Sequence, residues 1–162
     1  MENTYHVGMA DLVVVSAPAK LITLGLGSCI GLVIFDPVAK IAGMAHIMLP
    51  DSRGAKSTEK VGKFADTAVP AVIDEMIKKG ASKARMKAKI AGGAQMFALP
   101  DAPTDFLAVG SRNVKETTAL LAKTGIALVA SDTGGNKGRT VEFSTDTWML
   151  TIKTLGKGKA DI

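Results

Sequence analysis

The sequence predicts an α/β fold: mixed, largely antiparallel β-sheet covered by two main helices. Three observations predict it. Apolar runs of strand length outnumber helical windows. Only two stretches carry an apolar stripe at helical spacing with a stop signal after it. Asp36-Pro37 joins two neighbouring apolar runs by a connection short enough to make them antiparallel partners. The 162 residues suit one domain, 1–162. A chain of that length buries most of its apolar surface without disulfides or metals.

His6 to Val15 reads as a first strand that ends at Ser16-Ala17-Pro18. Leu21 to Leu24 continues in extended form until Gly25-x-Gly27-Ser28 breaks the pattern. Ile30 to Phe35 is apolar on both faces and reads as a central strand. Ile41 to Leu49 is its antiparallel neighbour, and Pro50 ends it. Glu59 to Lys79 is helix-like, with Val61, Ala65, Ala68, Val72 and Met76 in one stripe and Gly80 as the stop. Pro70 is expected to kink or split that helix. Met86, Ala88 and Ile90 alternate with Lys87 and Lys89, the pattern of a half-exposed strand.

Residues 98–106, with Pro100 and Pro103, read as a loop. Asn113 to Lys123 is the second helix, with Asn113 and Glu116 spaced as a capping box and Gly125 closing it. Ile126 to Ala130 reads as a buried strand. Thr140 to Ser144 and Trp148 to Thr154 form a hairpin around Thr145-Asp146, and 155–162 is expected to be a flexible tail.

Composition excludes several classes. Hydrophobic residues are 47% and charged residues 22%, so extensive disorder is not expected. No apolar run is long enough to span a bilayer, so no membrane insertion is expected. The polar start Met1-Glu2-Asn3-Thr4 lacks the pattern of a signal peptide, and a single cysteine fits a reducing compartment. A cytoplasmic protein is the expectation. The net charge of +5 favours solubility or an acidic partner. Nucleic acid is not expected, because aromatics are only 4% and give few stacking platforms.

The chemistry concentrates between Thr23 and His46. That stretch holds the sole cysteine, Cys29, and one of two histidines. A thiol and an imidazole are the parts of a nucleophile–base pair. A hairpin centred near residues 37–40 sets Cys29 opposite residues 46–48, which brings the two side by side. Cys29 follows Gly27-Ser28 at a loop-to-strand junction, where backbone N–H groups can hold an oxyanion. The bland readings are a buried apolar cysteine and a hydrogen-bonded core histidine. Two histidines and one cysteine, widely spaced, do not make a zinc site, and no cofactor is expected. Gly25-x-Gly27 lacks the third glycine of a dinucleotide fingerprint. Asp132-Thr133-Gly134 matches an aspartic-protease triplet but would need a dimer to supply the second carboxylate.

Five blocks in order, Thr23-Leu24-Gly25-Leu26-Gly27-Ser28-Cys29, Ala45-His46-Ile47-Met48-Leu49-Pro50, Ala88-Lys89-Ile90-Ala91-Gly92-Gly93-Ala94, Gly110-Ser111-Arg112-Asn113 and Asp132-Thr133-Gly134-Gly135-Asn136, resemble the CheD family. These are chemoreceptor glutamine deamidases of bacterial and archaeal chemotaxis. Ala65-Asp66-Thr67-Ala68-Val69 is similar to the corresponding stretch of Thermotoga-type members. The resemblance implies an α/β sandwich of mixed sheets with the two helices on one side. It implies a protein-glutamine glutaminase that converts receptor glutamines to glutamate and can act on glutamyl methyl esters. Cys29, His46 and Thr23 match the family's nucleophile, its histidine and the threonine that assists it. The implied partners are receptor cytoplasmic helices and a CheC-type phosphatase. A thioester scheme follows, with Gly27 and Ser28 supporting the oxyanion and Arg112 and Arg139 as candidates for contact with acidic receptor helices. For both arginines the competing reading is hydrogen bonding to loop carbonyls. A second hypothesis for the whole chain is a binding module that engages and regulates a CheC-type phosphatase.

Overall fold

The hairpin that Asp36-Pro37 announces lies at the centre of the molecule. In a computed structural model that describes residues 3–95 and 108–162, β4 (Ile30–Asp36) and β5 (Ile41–Ile47) pair antiparallel, Ile30 against Ile47 and Gly31 against His46. Every residue of both strands is buried. Alternation along them serves two cores. Ile30, Leu32, Ile34, Ile41, Ala45 and Ile47 meet the helices. Val33, Phe35, Ala42 and Met44 meet a second sheet. Each fully buried large aliphatic contributes about 1.5–3 kcal/mol.

One sheet has the order β2 (Leu12–Ser16), β5, β4, β6 (Lys87–Gly92), β7 (Ala127–Thr133). The other has β1 (Asn3–His6), β3 (Ala19–Leu26), β8 (Arg139–Ser144), β9 (Met149–Thr154), β10 (Lys159–Asp161). β1 with β3 and β6 with β7 are parallel, and the remaining pairs are antiparallel. Helices α1 (Ala65–Lys78) and α2 (Val109–Thr124) touch each other and cover the outer face of the first sheet. The architecture is the expected α/β sandwich with its two main helices on one side, counted among the described residues.

Several elements differ from the sequence expectation. The stretch from His6 to Val15 is two strands in two sheets, because the chain turns through Gly8–Ala10 after Val7 has bonded to the Ile22 carbonyl. The first helix begins at Ala65: Val61–Lys63 is a 3₁₀ turn and Phe64 is extended. Helix α1 runs on through Pro70 without splitting. Pro70 is exposed, and the donor it lacks would have served only the carbonyl of Asp66 in the first turn. Lys89 does not face water: the second sheet lies over its face of β6, and its Nζ is 2.7 Å from Trp148 O and 2.8 Å from Ile162 O. Ile126 is buried as expected but lies just before β7, an edge strand in which residues 127–130 alternate between exposed and half-buried. Residues 155–162 are not a loose tail. A turn at 155–158 lets β10 pair with β9, and the Ile162 and Leu150 backbones exchange two hydrogen bonds. The expected loop at 98–106, with Pro100 and Pro103, lies outside the described residues.

Candidate functional site

Inward-facing positions of β3 are Ala19, Leu21 and Thr23, and those of β5 are Ala42, Met44 and His46. The pleat therefore aims Thr23 and His46 at each other across the gap between the sheets. Thr23 Oγ1 lies 2.7 Å from His46 Nδ1 and 2.6 Å from the Val7 carbonyl oxygen. A carbonyl only accepts, so the single hydroxyl proton goes to Val7 and Nδ1–H donates to Thr23. That tautomer leaves the lone pair on Nε2. His46 Nε2 is buried and has no hydrogen-bond partner among the described residues. The His46 main chain is held by Asp11 O and Ala10 N, both at 3.0 Å.

Cys29 immediately precedes β4. Extending the register Ile30 to Ile47 by one residue sets Cys29 against Met48, within the predicted span. Cys29 shares a face with Gly31, the partner of His46, so thiol and imidazole are diagonal neighbours with only a glycine between them. The thiol is half-buried against the inter-sheet core. Burial pushes the Cys29 thiol up. Burial also pushes His46 down, against the opposing pull of the Asp11 carboxylate. At neutral pH the resting proton therefore sits on sulfur and the imidazole is a neutral base.

The loop before Cys29 is fixed through its carbonyls. Gly27 O accepts from Ala94 N at 2.9 Å, Cys29 O from Gly93 N at 2.9 Å, and Ser28 O from Asn113 Nδ2 at 2.9 Å. Among the described residues, the N–H groups of Gly27, Ser28 and Cys29 donate to no other backbone group. Gly92 has φ 108°, and a Cβ there would overlap the Cys29 carbonyl oxygen, so only glycine lets β6 close on the loop.

The two arginines occupy different settings. Arg112 is exposed on α2, with its charge felt by Asp51. Arg139 is 7% exposed and donates to Gly92 O at 3.1 Å and Gly134 O at 2.8 Å, with Asp132 at 3.3 Å. It supports the glycine turns behind the Cys29 loop, and Asp132 of the protease-like triplet is its ion-pair partner. Asn113, three residues before Glu116, is expected as a helix cap. It instead lies fully buried in the second turn of α2, with Nδ2 also 3.1 Å from Met48 O. A depression of about 140 Å³ beside His46 is lined by His6, Val7, Gly8, Met9, Ile22 and Leu24. Met9 and Leu24, 60% and 61% exposed, form its apolar rim. Sequence reading missed them because isolated exposed apolar residues carry no signal. Among the described residues no three His, Cys, Asp or Glu side chains cluster to hold a metal ion.

Comparison with known proteins adds the family. The family model described as CheD chemotactic sensory transduction matches residues 48–154. The chain is 49% identical over 153 residues to a protein of Caldanaerobacter subterraneus subsp. tengcongensis, covering 94% of each, whose name is "Probable chemoreceptor glutamine deamidase CheD". It is 45% identical over 163 residues, covering 100% of each, to the "Chemoreceptor glutamine deamidase CheD" of Halalkalibacterium halodurans. The crystal structure of a Neisseria meningitidis protein of the DUF152 family superposes with a TM-score of 0.51 at 11% identity, over 83% of this chain and 64% of that one, a likeness of fold alone. The chain belongs to the CheD family.

Proposed function

We propose that this member of the CheD family is a chemoreceptor glutamine deamidase, a protein-glutamine glutaminase in chemotaxis, with Cys29 as nucleophile and His46 as base. The observation that carries the reading is the free Nε2 of a neutral His46, oriented by Thr23 and diagonal to Cys29. The names of its near-full-length relatives support the substrate.

Substrate glutamine enters with its carboxamide beside Cys29. His46 Nε2 takes the thiol proton as sulfur attacks the carboxamide carbon. The C–S bond forms, and the carbonyl oxygen becomes an oxyanion. The free N–H groups of the Gly27–Cys29 loop, with Ser28 among them, stabilise it at about 3 kcal/mol per donor. Collapse breaks the C–N bond, and imidazolium gives its proton to the leaving ammonia. His46 then draws a proton from water, hydroxide attacks the thioester, and glutamate leaves with the thiol restored. A glutamyl methyl ester runs the same course with methanol as leaving group. The exposed Arg112 and the +5 charge suit acidic receptor helices. Arg139 contributes by holding the glycine turns behind the loop.

Receptor cytoplasmic helices as substrate place the protein in the cytoplasm, in keeping with a chain in which no described helix is long and apolar enough to cross a membrane. A CheC-type phosphatase seated on the mouth at Cys29 would inhibit by excluding receptor. The test is incubation with a purified receptor cytoplasmic fragment and mass-spectrometric mapping of glutamine-to-glutamate conversion, beside Cys29→Ala. Site-specific conversion lost in the variant supports the enzyme. No conversion by folded wild-type protein sinks it and favours a phosphatase-binding module.

A further inference from the structure

We infer that Asn113 is a positioning residue for the reaction: its buried amide staples the segment that carries Cys29 to the segment that carries His46. The inference rests on the Cys29–His46 reading above and deepens it. Asn113 is fully buried in α2. Its Nδ2 donates to Ser28 O at 2.9 Å and to Met48 O at 3.1 Å. Ser28 directly precedes the nucleophile, and Met48 lies two residues beyond the base. One NH₂ group thus uses both of its protons on the two strands of chemistry, at the point where β4 and β5 part beyond their last pair, Ile30 with Ile47. Among the described residues no ladder hydrogen bond continues there to keep Cys29 and Met48 in register.

The amide is retained at a cost. Asn113 Oδ1 is buried without a partner among the described residues, an expensive state for a carbonyl. An apolar residue would avoid that cost, so the donors are what the position requires. The same helix grips the loop a second way. A Cβ at Gly110 would overlap the carbonyl oxygens of Gly93 and Ala94, so the first turn of α2 presses on the residues whose N–H groups hold Cys29 O and Gly27 O. Losing the staple frees the Ser28 carbonyl, lets the Cys29 loop drift, and lengthens the diagonal to Nε2. A misplacement of about 1 Å costs about 10²-fold in rate.

The test compares Asn113→Leu with Thr117→Ala, a buried position one turn along the same helix that contacts neither segment through a hydrogen bond. Two readouts are taken on full-length protein: deamidation kinetics on the receptor fragment, and the pH dependence of Cys29 alkylation by iodoacetamide. Asn113→Leu is expected to lower kcat by at least tenfold with KM unchanged, because the residue does not reach substrate. Its Cys29 is expected to alkylate faster at pH 8, with a midpoint moved down as the loop becomes solvated. Thr117→Ala is expected to match wild type in both. Where Asn113→Leu does not fold, Asn113→Ala serves, since water entering its cavity can hydrate both carbonyls. Wild-type kcat and an unchanged alkylation profile in the folded variant overturn the staple. Alkylation reads the staple even where the receptor fragment is not turned over, a result that would instead overturn the deamidase reading.

Discussion

Two of the basic side chains buried between the sheets, Lys89 and His46, are treated in opposite ways. Lys89 enters the layer from β6, 6% exposed, with Nζ 2.7 Å from Trp148 O and 2.8 Å from Ile162 O and 5.4 Å above the Phe35 ring. His46 enters from β5, 2% exposed, with Nδ1 bound to Thr23 and Nε2 bound to nothing among the described residues. Burial pushes both groups down. Around lysine the surroundings supply carbonyl oxygens and an aromatic face, so the group is a structural tie. Around histidine they satisfy one nitrogen, fix the tautomer, and leave the other for a reacting proton. What separates the tie from the proposed base is the unpaired atom, not the depth.

The contrast can be broken at four places. Cys29→Ala should reduce deamidation to background while changing stability by less than about 1 kcal/mol, since the thiol is half-buried and small. Mass spectrometry of the receptor fragment and a denaturant melt read the two halves of that statement. His46→Gln should lower kcat/KM by about 10²–10⁴-fold. In wild type the acid limb of the rate profile should fall below the ordinary histidine value of 6.5, because burial disfavours imidazolium. The unfolded chain takes up that proton first. Wild-type stability therefore declines relative to His46→Gln as pH drops from 6.5 to the lower folded value, and levels off below it.

Thr23→Val should leave KM in place and slow kcat by roughly 10²-fold, since the ring loses the acceptor that holds its orientation. It also strips Val7 O of its donor, a cost of about 1–3 kcal/mol visible in thermal melts. Lys89→Met should leave kcat untouched. Its signature lies in alkali: the lowered Lys89 value means the unfolded chain holds the extra proton. Wild-type stability should thus rise relative to Lys89→Met as pH climbs from the folded value toward 10.5. A change in kcat for Lys89→Met, or none for Thr23→Val, would erase the distinction between tie and base.

Much of this was legible in the chain. The Asp36-Pro37 turn and two flanking apolar runs announced the β4–β5 hairpin, and the hairpin in turn set Cys29 near His46. Periodicity marked both helices, and Gly125 closes α2 in the left-handed conformation with φ 81°. Long-range neighbours were not legible. Lys87 is exposed as the alternation predicts, but Lys89 is buried, because alternation cannot report that a second sheet covers part of the polar side. Asn113 read as a cap because spacing to Glu116 is local, while its partners Ser28 and Met48 lie far off in sequence. The 155–162 stretch looked solvated from its lysines and glycines, yet its backbone found the open edge of β9. Pro70 looked disruptive because composition does not show that only one carbonyl, in the first turn, loses its donor.

The anchoring of the Cys29 loop has a consequence for the order in which the protein assembles. Thr23, Cys29 and His46 all lie in the first third of the chain, but the groups that turn the loop carbonyls aside come from Gly93, Ala94 and Asn113, the last separated from Ser28 by 85 positions. Contacts that distant close late, after the loop entropy between them has been overcome. A nascent or partly folded chain therefore holds the three side chains of the proposed site without the scaffold that aims them. Competence is conferred by the second half on the first, so the appearance of activity during refolding should trail the formation of the β4–β5 hairpin and coincide with the docking of α2.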